Sequence, residues 1–151
     1  MNIPCLAFTT SCNRHADRLI NEAIIISGEE QMHTNFAQWD TGATGTCVSR
    51  AVIDRLGLIP IGQTMVRTPS GEKMAEMYIV DILLRNNVTV KDVRVIGSEI
   101  GVQNIDILIG MDIIGLGDFA VTKVGGITTF TFRIPSIQTI DFCKDLSQYP
   151  R

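Results

Sequence analysis

FAQWDTGATGTCVS, residues Phe36–Ser49, is the stretch on which the reading of this chain turns. A short apolar run leads into Asp40, Thr41, Gly42, Ala43 and Thr44, a tight turn with one carboxylate at its head. Gly42 reaches backbone angles closed to other residues and lets the chain approach a ligand, while the Thr41 and Thr44 hydroxyls can tie the loop down. Asp40 is therefore expected to be aimed rather than loose, and one carboxylate fixed on a tight turn looks like half of a two-carboxylate site. The chain has no second Asp-Thr-Gly or Asp-Ser-Gly.

Two further segments lie downstream. In IDILIGMDII, residues Ile105–Ile114, the apolar Leu108 and Ile109 lead into Gly110. Between this element and the Asp40 turn, Thr68, Pro69, Ser70, Gly71 and Glu72 form a turn followed by a long apolar run from Met74 to Leu84.

In these segments the chain resembles the retropepsins, the single-domain aspartic proteases of retroviral type, and especially their cellular and bacterial relatives. The resemblance rests on Asp40–Thr44 after an apolar residue, on Ile107–Gly110 as the apolar-apolar-Gly element, and on the hairpin between them, in that order over roughly residues 20–135. It implies an all-β fold, a closed acid-protease barrel with one or two short helices and a flap hairpin, paired as a two-fold homodimer. It also implies an aspartic endopeptidase in which Asp40 from each subunit activates water, with Thr41 hydrogen-bonding across the axis. Gly42 would present its backbone to an extended substrate, residues Thr68–Glu72 would cover that substrate, and Leu108, Ile109 and Gly110 would pack behind the site. No cofactor or metal is implied. Two features depart from the retroviral pattern: Met111 stands where an arginine is found, and Thr44 where its acidic partner is found, so the pair is lost together. Ala43 offers no hydroxyl to an ionised carboxylate, which raises the expected apparent pKa values of the pair and places activity at weakly acid to neutral pH.

Composition agrees with one domain over residues 1–151. The chain is 45% hydrophobic and 19% charged, enough at this length for a core without covalent staples. A net charge of −3 and scattered basic residues give no footprint for nucleic acid and no polybasic membrane patch. Cys5, Cys12, Cys47 and Cys143 form no CxxC pair and have no histidine at metal-ligand spacing, which points to isolated thiols in a reducing cytoplasm. The beginning of the chain lacks a positive region followed by a sustained apolar one and reads as unprocessed, and no run approaches the length that spans a bilayer.

Periodicity predicts mostly strand. Ala23–Ser27, Thr34–Trp39, Thr64–Thr68, Lys73–Leu84, Val88–Gly97, Ile105–Ile109, Phe119–Thr122 and Thr128–Ile134 carry the signal. The phase slip at Lys91 and Asp92 marks a bulge, and Asn86-Asn87 a turn. Ser49 caps a helix whose apolar positions Val52, Ile53 and Leu56 are followed by Gly57, and Met111–Leu116 makes a shorter helical turn capped by Asp112. The first twenty residues and the tail from Gln138 show weak periodicity, consistent with loose order or a subunit interface.

Competing chemistries lack their patterns. His15 and His33 are the only histidines, no nucleophile elbow surrounds a Ser or Cys, and GLGDF after Ile114 lacks the context of a phosphate loop. Asp106 reads as the entrance to a strand rather than a second catalytic acid. Met65, Met74 and Met77 fit either plain core or adaptable substrate pockets. Beside the peptidase reading stands an alternative, a catalytically silent retropepsin-like module that dimerises or holds peptides.

Overall fold

The computed structural model describes residues 4–146. Among the described residues there are ten strands and three short α-helices. Six strands close on themselves: β2 (Leu19–Ser27), β3 (Glu30–Trp39), β8 (Ile107–Ile109), β4 (Cys47–Ser49), β7 (Thr89–Ser98) and β6 (Gly71–Leu84). The antiparallel pairing of β2 with β6, from Ala23 opposite Leu84 to Ile26 opposite Asp81, joins the two ends into a barrel. Closure gives each barrel strand a neighbour on both sides and leaves β5 (Gly62–Thr68) as the outlying edge. Its interior is packed with side chains such as Ile25, Val48, Ile82, Val95, Ile107 and Ile109, all fully buried.

The expected elements form for local reasons. Helix α1 (Arg50–Leu56) starts at Ser49, whose hydroxyl accepts from the Val52 N–H at 3.4 Å, and stops at Gly57 in the left-handed region (φ 58°). The bulge lies at the predicted place, where Lys91 and Asp92 together oppose Asp81, with Asp92 at φ 53°. Asp81 accepts from the Asp92 N–H at 2.8 Å and the Lys91 ammonium at 3.0 Å, so its carboxylate replaces the missing ladder partner. Strand β5 (Gly62–Thr68) pairs only with β6, and Thr68 faces Gly71 across the two-residue tip Pro69-Ser70. Because β6 meets β7 only from Met77 onward, the outer part of this hairpin stands free of the barrel.

The structure differs from the sequence reading at several points. Within the first twenty residues, described here from residue 4 onward, β1 (Leu6–Cys12) forms a three-stranded antiparallel sheet with β10 (Thr128–Ile134) and β9 (Asp118–Thr122), in the order β1-β10-β9. Strand β1 places one large apolar side chain, Phe8, in the core and turns Thr9 and Ser11 outward, so its alternation is faint in sequence. Phe8, Phe130 and Phe132 enclose Trp39, and the Phe119 ring stacks on its indole at 5.5 Å and 10°. This aromatic cluster fastens the small sheet to the barrel beside Asp40. Strand β2 begins at Leu19, earlier than expected, and β8 begins at Ile107, later than expected. A third short helix, α3 (Phe142–Asp145), lies in the tail, and residues 147–151 of that tail lie outside the described residues.

Candidate active site

Asp40 follows the last residue of β3, with its backbone N–H donating to the Ile109 carbonyl at 2.9 Å. Its carboxylate Oδ1 accepts from the Gly42 N–H at 2.8 Å, and the Asp40 carbonyl accepts from the Ala43 N–H at 3.2 Å. Contrary to the sequence reading, Gly42 is not in the left-handed region; what a side chain there would meet is that same carboxylate oxygen, 3.1 Å from its Cβ, so Asp40 would have to give by a few tenths of an ångström. Asp40 itself is half-buried, while Thr41, Gly42 and Thr44 are exposed and Ala43 is half-buried.

The loop is braced from behind. The Ala43 carbonyl accepts from the Met111 N–H at 2.8 Å and the Thr44 carbonyl from the Asp112 N–H at 3.2 Å. A Cβ on Gly110 would sit 2.6 Å from the Gly45 oxygen and 2.9 Å from the Ala43 oxygen, so the close approach requires glycine there. Ile109 and Gly110 thus meet the Asp40 loop directly, while Leu108 pairs with Gln38 and Cys47 beside it. Asp112 does not cap helix α2 (Met111–Ile114), whose N-cap is Gly110 without a side-chain bond. Its carboxylate instead accepts from the Thr46 N–H at 3.0 Å, the buried Thr46 hydroxyl at 2.7 Å and the Ile113 N–H at 3.0 Å. Thr46 Oγ1 in turn accepts from the Gly110 N–H at 3.2 Å. Asp106 stands immediately before β8 and accepts from the Thr34 hydroxyl at 2.5 Å.

Cross-strand register lines up a ledge beside Asp40. Gln38 pairs with Leu108, Leu108 with Cys47, Cys47 with Ile96, and Ile96 with Met77, all half-buried and on one face of the barrel wall. Asp40 lies two residues beyond Gln38, just past the end of β3 and about 7 Å further along the chain. Burial, then the Asp112 and Asp40 carboxylates, push the Cys47 thiol up, which disfavours a thiolate nucleophile here. At the far end of the ledge stands the free hairpin. Thr68 Oγ1 donates to the Gly71 carbonyl at 2.9 Å and lies 3.0 Å from Ser70 Oγ, while Glu72 accepts from Arg67 Nε at 2.8 Å. Pro69 is exposed at the tip.

Met65 and Met74 pair across the hairpin and are more than half exposed, which removes them from the core. By register they share the hairpin face opposite to Met77, so of the three methionines Met77 is the one aligned with the ledge. Behind the hairpin, a cleft of about 210 Å³ is lined by Arg50, Tyr78 and Glu76, and the buried Tyr78 hydroxyl donates to Glu76 at 2.7 Å. His33 is exposed on β3 opposite Ile24 and belongs to none of this.

Sequence reasoning did not foresee the part played by Thr46, by Asp112 or by the ledge. The ledge leaves no distinct signal in sequence, because Leu108, Cys47, Ile96 and Met77 read as core until the register is known.

A closed β-barrel bearing an Asp-Thr-Gly loop braced by an apolar-apolar-Gly element, with a free hairpin nearby, defines the retropepsin-like class of acid protease. The chain belongs to the aspartyl protease family, whose model matches residues 33–113. Among solved structures it is similar to a retropepsin-like aspartic protease from Rickettsia conorii, with a TM-score of 0.58 at 14% identity over 89% of this chain and 98% of that one. It also matches the solution structure of simian foamy virus (mac) protease, with a TM-score of 0.46 at 26% identity over 64% of this chain and 92% of that one. No curated protein matches it in sequence. Among the described residues no helix is long and apolar enough to cross a membrane, and no group of three or more His, Cys, Asp or Glu side chains converges as a metal site would require.

Proposed function

We propose that the protein is an aspartic endopeptidase that works as a two-fold homodimer, with one domain per chain contributing one Asp40. The observation that supports this most directly is the Asp40 loop itself. Its carboxylate is oriented by the Gly42 N–H, and its backbone is tied to Ile109, Met111 and Asp112, so the side chain is held ready for a partner it lacks within the chain.

Two such carboxylates about 3 Å apart cannot both ionise comfortably and share one proton, as the paired-aspartate proteases do. The ionised Asp40 takes a proton from a water molecule as its oxygen attacks the peptide carbonyl carbon, and the protonated Asp40 of the second copy gives its proton to the carbonyl oxygen. Collapse of the tetrahedral diol breaks the C–N bond, with a proton passed to the leaving amine. Thr41 braces the pair across the axis, and Gly42 leaves backbone groups open to an extended peptide. Residues Thr68–Glu72 close over that peptide and hold it by strand addition. Leu108, Cys47, Ile96 and Met77 receive apolar side chains beside the scissile bond.

The test is peptide hydrolysis by wild type and Asp40→Asn across pH 4–8, with the oligomeric state followed in parallel. Activity confined to wild type and to the dimer supports the reading. Equal cleavage by both proteins removes it, and peptide binding with no cleavage by either identifies a silent binding module instead.

A further inference from the structure

A cleft of about 410 Å³ opens between the end of β1, the loop that precedes β2, the start of β2, and β10. None of the residues that touch the Asp40 loop lines it. Leu19, Ile20 and Phe130 line it together with Thr10 and Cys12, and the exposed Arg14, Arg18 and Asp17 bring two guanidinium groups and one carboxylate to the same lining.

The loop forming the rim is firmly built. Thr128 is buried on β10; its hydroxyl donates to the Arg14 carbonyl at 2.8 Å and accepts from the Ala16 N–H at 2.8 Å. Lys123 adds a bond from its ammonium to the Ala16 carbonyl at 2.8 Å and stands 3.2 Å from His15 Nε2. Arg18 is oriented by Gln38 Oε1 at 2.7 Å from its Nε and by the Gln103 carbonyl at 3.1 Å from its Nη2, which leaves Nη1 unused. Among the described residues neither Arg14 nor Arg18 forms an ion pair, and Asp17 pairs with neither of them. With two guanidinium groups against one carboxylate the lining carries a net positive charge, and beside Leu19, Ile20 and Phe130 it matches a ligand with one negative head and an aliphatic chain, because guanidinium groups favour carboxylates and apolar lining rewards buried methylenes. The volume lies within the range of small-molecule sites.

We propose that this cleft binds an aliphatic monocarboxylate, with its head between Arg14 and Arg18 and its chain along Leu19, Ile20 and Phe130. The cleft contains none of residues 40–44, although Arg18 and Ile20 both reach Gln38 of the ledge, and its test reads binding rather than peptide hydrolysis. It has a built-in reporter: Trp39 is the single tryptophan of the chain, and its ring centroid lies 6.3 Å from that of Phe130.

Octanoate titrated into the full chain should change Trp39 fluorescence saturably, and calorimetry should give the same affinity. Each methylene contributes about a fourfold gain, so hexanoate should bind about an order of magnitude more weakly. Octylamine should not bind. Arg14→Gln, at an exposed side chain, should retain the fold and lose roughly tenfold or more in affinity for octanoate. Absence of saturable binding overturns the proposal. So does equal binding of octanoate with acetate or octylamine, or unchanged affinity in the folded Arg14→Gln protein.

Discussion

The hydroxyl of the fully buried Thr46 donates to the carboxylate of Asp112 at 2.7 Å, across 66 residues of sequence. This bond, with the one from the Thr46 N–H to the same carboxylate, ties the segment after Asp40 to the helix that follows Gly110. Removing the acceptor leaves a buried hydroxyl and a buried amide unsatisfied. Asp112→Ala should therefore destabilise the protein by about 2–6 kcal/mol, given about 1–3 kcal/mol for each of the two stranded groups, read as a lowered midpoint in urea. A midpoint equal to wild type would show that the brace contributes nothing.

Asp40→Asn should lower kcat/KM for peptide hydrolysis by at least about four orders of magnitude, since acid and base roles disappear together. Its Oδ1 can still accept from the Gly42 N–H, so thermal stability should stay within a few degrees of wild type.

Gly110→Ala places a methyl group against the Gly45 and Ala43 carbonyl oxygens. Such overpacking costs about 1–3 kcal/mol, and the melting temperature should fall by several degrees. Peptide hydrolysis should fall further than stability alone explains, because the displaced backbone is that of the Asp40 loop.

Asp118 is held well below the usual carboxylate range by the Ser136 hydroxyl, the Ile137 N–H and Arg133, with a smaller contribution from the Gln138 N–H. A depressed folded-state pKa adds stability that is fully present above the unfolded value of about 3.9 and is lost as pH falls through the folded value. The melting temperature of Asp118→Asn should trail wild type at pH 7, and the gap should narrow as pH drops from about 4 towards 2. A gap that widens in acid would reverse the assignment.

Gly71 follows the hairpin tip at φ 121°, where a side chain is strained. In Gly71→Val the exposed tip should shift rather than unfold the barrel, moving the melting temperature by only a few degrees. Turnover should drop roughly tenfold, about 1.4 kcal/mol, if this hairpin covers the peptide.

Much of this protein is written in short stretches of its sequence. The Asp40 turn, helix α1 between Ser49 and Gly57, the Pro69-Ser70 tip and the bulge at Lys91 and Asp92 were all legible, because turn angles, caps and alternation are set by neighbouring residues. The mostly β class followed from the same local signals. Tertiary structure alone decided the pairing of β1 with β10, the closure of the barrel by β2 on β6, and the exposure of Met65 and Met74. It also decided the links between Thr46 and Asp112 and between Arg18 and Gln38. Each depends on partners distant in the chain or on which face of a strand is covered, and a local pattern that states only that a residue alternates carries neither fact.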